Sequence, residues 1–130
     1  MRVVLADDSL KIRQVLRAML INLKHEIVAE AVNGTEAIAF CEQFHPDIAI
    51  LDISMGAIGG DIAADRIREA HTALYILLFT SRASIKEAFE AKGFAVLIKP
   101  VMQGDMRKKI AALTGGLTLG DANGTDRAGP

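Results

Sequence analysis

Apolar residues along this chain fall into two kinds of run that take turns. RVVLA (2–6) is continuous, the pattern of a strand buried on both faces. After it, Ile12, Val15, Leu16, Met19, Leu20 and Leu23 recur at helical intervals, with Arg13, Arg17 and Lys24 off the stripe and Ser9 placed as the cap. HEIVAEAV (25–32) predicts a second, more polar strand. Asn33-Gly34-Thr35 predicts a turn, with Thr35 capping a helix that carries Ala37, Ile38, Cys41 and Phe44 and ends at His45-Pro46. DIAILD (47–52) is a third strand and SMGAIGG a flexible connection. Residues 60–70 form a helix with a weak stripe of Ile62, Ala63, Ile67 and Ala70. LYILLFT (74–80), IKEAFEAK (85–92) and FAVLI (94–98) read as strand, short helix and strand, and Met102, Met106, Ile110 and Leu113 mark a last helix with an apolar core face.

Five strand–helix alternations within residues 1–113 imply one α/β domain, a doubly wound parallel sheet with helices on both faces. In such sheets the ligand site lies beyond the carboxyl ends of the strands. Residues 114–130 lose all periodicity and hold five glycines in seventeen positions, which predicts a disordered tail.

Composition narrows the function. Hydrophobic residues make up 51% of the 130, enough for a full core, and a formal net charge of −1 argues against direct nucleic-acid binding by bulk electrostatics. Cys41 is the only cysteine, so no disulfide forms within the chain, and its place on an apolar helix face reads as packing. Asp7 and Asp8 interrupt the first apolar run too early for a signal peptide, and no run approaches membrane-span length. These readings predict a cytoplasmic protein without membrane contact. His25, His45 and His71 are scattered without ligand spacing.

The polar residues gather at strand ends. The first strand ends in Asp7-Asp8, the third in Asp52, the fourth in Thr80-Ser81 and the fifth in Lys99. In a parallel sheet these groups meet on one edge. Three carboxylates there repel one another unless a cation lies among them, and an oxygen-only set suits Mg²⁺. Lys99 is suited to hold a phosphate oxygen, Thr80 to hydrogen-bond a phosphoryl group, and a carboxylate beside them to attack phosphorus.

LADDS, AVNGTEAI, HPDIAILDISM with Gly60 eight residues after Asp52, LLFTS and LIKP together resemble the receiver domain of two-component response regulators, of the stand-alone, chemotaxis-regulator-like kind. The resemblance covers residues 1–113 and implies a flavodoxin-like (βα)5 fold with strand order 2-1-3-4-5. It implies that Asp52 is the phosphoacceptor and that Asp8, Asp52 and the backbone carbonyl of Ser54 bind Mg²⁺, with Asp7 acting through a water. Lys99 then pairs with Asp52 at rest and Thr80 is the switch hydroxyl. The implied donor is a histidine kinase or histidine phosphotransferase. The implied output is protein contact through the 82–113 region, with a phosphorylation-dependent dimer left open. Such a domain accepts a phosphoryl group and self-dephosphorylates without being a turnover enzyme.

Several positions depart from the family pattern. Val96 stands three residues before Lys99, where the family often has Tyr or Phe. The interval from Thr80 to Lys99 is 19 residues, shorter than usual, which predicts a short or irregular fourth helix. Gly56 replaces a customary Pro and predicts a looser loop. Ser54 and Arg82 offer no acid to orient an attacking water, which predicts slow loss of the phosphoryl group and counts against a phosphohydrolase. The alternatives are a degenerate receiver used as a scaffold and a flavodoxin-like nucleotide- or flavin-binding protein. ADDSLK lacks the Gly/Ser/Thr-rich phosphate loop that the latter needs.

Overall fold

The computed structural model describes residues 1–115. Its elements are β1 (Arg2–Ala6), α1 (Leu10–Asn22), β2 (Glu26–Ala31), α2 (Gly34–Phe44), β3 (Ile48–Asp52), α3 (Gly60–Ala70), β4 (Tyr75–Thr80), a 3-10 turn (Ala83–Ile85) running into α4 (Lys86–Ala91), β5 (Ala95–Ile98) and α5 (Gln103–Leu113). All strand pairs are parallel, in the order β2-β1-β3-β4-β5. This is the doubly wound, flavodoxin-like sheet implied by the resemblance.

The continuous apolar runs supply both layers, because successive strand side chains point to opposite faces. Val4, Ala49, Leu51, Leu78 and Val96 meet Ala37, Cys41, Ala63, Ala64 and Ile67 on the α2/α3 side. Val3, Leu5, Ile48, Ile50, Leu77 and Phe79 meet Leu16, Leu20, Met106 and Ile110 on the α1/α5 side. Each fully buried Leu or Ile contributes about 1.5–3 kcal/mol. β2 is an edge strand, which accounts for its polar, partly exposed pattern.

Several local expectations are corrected. Asn33, not Thr35, caps α2: its side chain accepts from the Glu36 amide at 2.8 Å, while the Glu36 carboxylate accepts from the Val32 amide at 2.9 Å. The α3 stripe is Ala63, Ala64 and Ile67, with Ile62 exposed. Met102 is exposed at the N-cap position of α5, with no side-chain capping bond, and Val101 is buried in its place, because the chain turns after Lys99-Pro100 before the helix begins.

SMGAIGG is anchored rather than loose. Met55 is buried, the Gly34 amide donates to Ile58 O at 2.9 Å and the Gly60 amide donates to Ile53 O at 3.0 Å. A methyl group on Gly60 would collide with the Asp52 carbonyl oxygen. The domain also runs past residue 113: Thr114 is buried and its hydroxyl donates to Ile110 O. The rest of the expected tail, 116–130, lies outside the described residues.

Candidate functional site

The carboxyl ends of β1, β3 and β5 converge on one cluster. Asp7 extends β1 by one residue, its amide donating to Ala31 O at 3.1 Å. The Asp7 side chain is buried, with Oδ1 accepting from the Ser9 amide at 2.7 Å and Oδ2 accepting from Lys99 Nζ at 3.1 Å. Asp8 is exposed and, among the described residues, its carboxylate enters no hydrogen bond or ion pair. Asp52 closes β3 at 3% exposure, with Oδ1 accepting from the Ser54 amide at 3.2 Å and Oδ2 at 3.3 Å from Lys99 Nζ. Lys99 is tethered to β4 through its own amide, which donates to Thr80 O at 2.8 Å, and its ammonium lies 5.0 Å from the Phe79 ring centre.

Lys99 therefore bridges two buried carboxylates, where the resemblance implied only Asp52. Thr80, also buried, ends β4 one residue beyond the Phe79 that pairs with Asp52, and its hydroxyl accepts from the Arg82 amide at 3.1 Å. Ser54 reaches Asp52 through its amide.

Charge is out of balance here, with three carboxylates against one ammonium. Burial pushes the Asp52 carboxyl up from 3.8 to about 6; Lys99 opposes this and Asp7 adds to it. For Lys99, burial works to lower the pKa, but the hydrogen bond to Asp7 and the charges of Asp52 and Asp7 prevail and raise it. Carboxylate oxygens of Asp7, Asp8 and Asp52 all lie within 4.8 Å of one another. An all-oxygen, partly open set with excess negative charge fits a hard divalent cation that keeps some of its waters.

Two contributors, Phe79 and Arg13, escape sequence reasoning, and Gly60, counted there only as part of the family pattern, acquires its physical reason. Phe79 lies in the apolar interior of β4, and its contact with Lys99 has no local signal. Gly60 is needed because α3 begins against the Asp52 carbonyl. Arg13, off the apolar stripe of α1, is more sheltered than Val15 on that stripe, which is exposed: its side chain is 12% exposed and its guanidinium donates to Asp7 O at 2.7 Å.

Known proteins bear on this cluster. The family model of the response regulator receiver domain matches residues 3–111. A transcriptional regulatory protein, PdtaR, of Mycobacterium tuberculosis is 36% identical over 107 residues, covering 81% of this chain and 52% of its own length. The chain thus spans about half the length of this relative. The chemotaxis protein CheY of Halobacterium salinarum is 31% identical over 113 residues, covering 85% of this chain and 93% of its own. CheY in a CheX–CheY–BeF3–Mg²⁺ complex from Borrelia burgdorferi matches the fold with a TM-score of 0.81 at 19% identity, over 88% of this chain and 89% of that one. With the family model spanning nearly every described element, the chain belongs to the response regulator receiver domain family.

Proposed function

We propose that Asp52 accepts a phosphoryl group in a Mg²⁺-dependent reaction and that the modified domain controls contact with another protein. The observation that carries this reading is the buried Asp52 carboxylate, held beside Lys99 and two further carboxylates at the carboxyl edge of a receiver-family sheet. Asp8, Asp52 and the Ser54 carbonyl would hold Mg²⁺, with Asp7 acting through a water. When bound, Mg²⁺ supplies positive charge to the oxygens of the transferring phosphoryl group.

An Asp52 oxygen forms the new bond to phosphorus as the bond from phosphorus to the donor breaks, and the electron pair leaves with the donor. In a phosphohistidine donor the departing atom is an imidazole nitrogen, which takes up a proton. In acetyl phosphate it is an acetate oxygen. Lys99, already between Asp7 and Asp52, neutralises a phosphoryl oxygen. Thr80 exchanges its contact with the Arg82 amide for one to the phosphoryl group.

The donor is a histidine kinase or histidine phosphotransferase in the cytoplasm. An apolar groove lined by Ile12, Val15, Phe79, Pro100 and Val101 opens beside Lys99, which supports a protein donor. The output surface lies within 82–113, and Arg82, without an acid to aim a water, gives a long-lived phosphoryl group. Intact mass after incubation with acetyl phosphate and Mg²⁺ tests the chemistry. The wild type should gain one phosphoryl group and Asp52→Asn none; an unmodified wild type with donor in excess overturns the reading.

A further inference from the structure

Arg13 is an unusual residue for its position. It is the fourth residue of α1, where a cation opposes the positive end of the helix dipole, and the first turn of α1 has no acid to offset it. Its side chain is nonetheless 12% exposed, against 46% for Arg17 one turn on. Helical side chains lean toward the helix N-terminus, which carries the guanidinium back over the end of β1. There it donates to Asp7 O at 2.7 Å through one nitrogen and to Glu30 Oε1 at 3.2 Å through Nε. The other Glu30 oxygen lies 2.9 Å from Arg17 Nε.

Glu30 and Ala31 are neighbours on β2, and Ala31 O accepts the Asp7 amide. Both backbone groups of Asp7 are thus held by β2, the amide directly and the carbonyl through Arg13. The Asp7 carbonyl belongs to the same rigid peptide plane as the Asp8 nitrogen. Asp8 is the one acid of the cluster whose own carboxylate has no partner among the described residues, so the direction of its Cα–Cβ bond, from which the carboxylate reaches the cluster, is set by its backbone alone.

We propose that Arg13, locked by Glu30, is a positioning residue that fixes the Asp7–Asp8 peptide and so aims the Asp8 carboxylate at the metal-binding edge of the cluster. This rests on the Mg²⁺ reading above. A residue that orients a metal ligand is worth roughly ten- to hundredfold in metal affinity. Charge alone acts in the opposite direction: deleting a cation near an acidic site tightens the binding of another cation.

The test is calorimetric titration of the metal-free protein with Mg²⁺, with urea unfolding and the Ser9 amide resonance recorded alongside. Arg13→Ala should weaken Mg²⁺ about tenfold. Arg13→Lys, which keeps the charge but not the fork that spans Asp7 O and Glu30, should fall between it and wild type. Glu30→Gln, which leaves Arg13 in place but loosens it, should shift the Ser9 amide, whose partner is Asp7 Oδ1; because the change also removes an anion, which weakens cation binding by charge alone, the amide and not the affinity is its readout. Arg17→Ala should bind as wild type does. Unchanged or tighter Mg²⁺ binding in Arg13→Lys, or an unmoved Ser9 amide in Glu30→Gln, overturns the inference, and these two decide it if Arg13→Ala does not fold. A wild type that takes up no Mg²⁺ overturns the Mg²⁺ reading itself and this inference with it.

Discussion

Burial of Asp52, with Asp7 close by, outweighs the attraction of Lys99 and brings its carboxyl to about 6 from an ordinary 3.8. The folded state therefore binds this proton more tightly than the unfolded chain, and stability falls as pH rises between those two values. Without divalent cations, Asp52→Asn should be more stable than wild type by about 1–3 kcal/mol at pH 7.5, and the gap should close by about pH 4. Urea unfolding in chelator across that range measures it, and a gap independent of pH contradicts the assignment. Lys99→Met acts in the opposite sense, leaving the buried Asp7 carboxylate without its cation. It should cost about 2–3 kcal/mol at neutral pH by the same measurement. The residues of this cluster were legible because strands otherwise built from Val, Ile and Leu admit acids and a lysine only at their ends. Arg13 was not, because periodicity sorts residues into stripe and non-stripe and cannot see a long side chain lying back over a strand end.

The same limit recurs among the elements. Strand number, parallel pairing and the shortness of α4 follow from where apolar runs begin and stop, the strand order follows from the family resemblance alone, and the structure has each of them. Caps and loop anchoring do not follow, since Asn33 and Thr35 are both acceptable caps by residue type, and the close packing of Ile58 on Gly34 joins segments far apart in the sequence. Gly56 in place of the family's Pro suggested a loose SMGAIGG, whereas the loop is anchored and Gly60 is there because α3 must begin against the Asp52 carbonyl. Gly60→Ala should lower stability by about 1–3 kcal/mol. Gly104→Ala should raise it by about 0.5–1 kcal/mol, because Gly104 lies in α5 with open space around it. Paired thermal melts of the two variants test whether close approach, rather than glycine content, governs these sites. Val96 poses a related question on β5. It is fully buried opposite Leu78, so the family's aromatic ring has no space here without repacking. Val96→Tyr should cost about 1–3 kcal/mol, read from the urea midpoint.

Taken as one molecule, the sheet joins residues 7, 8 and 52 at an edge where folding has concentrated negative charge. Asp7 and Asp52 are buried and share Lys99, so replacing either one changes the stability of the metal-free fold as well as the site. Asp8 is exposed and unpaired among the described residues, so the metal-free fold does not depend on it. A ligand that binds only the folded state adds stability by mass action, about 2.7 kcal/mol at a hundred times its Kd. For a domain of this size that is a rise in Tm of roughly 10 °C. Mg²⁺ should therefore raise the Tm of the wild type, and chelator should reverse the rise. The gain should shrink as pH falls below about 6, where protonation of Asp52 competes with the metal. Asp8→Asn separates site from fold: its metal-free Tm should match wild type to within about 0.5 kcal/mol of stability, while its response to Mg²⁺ is lost. A variant that loses stability without metal would show Asp8 to be part of the fold. One that keeps the full Mg²⁺ response would move the metal away from this edge of the sheet.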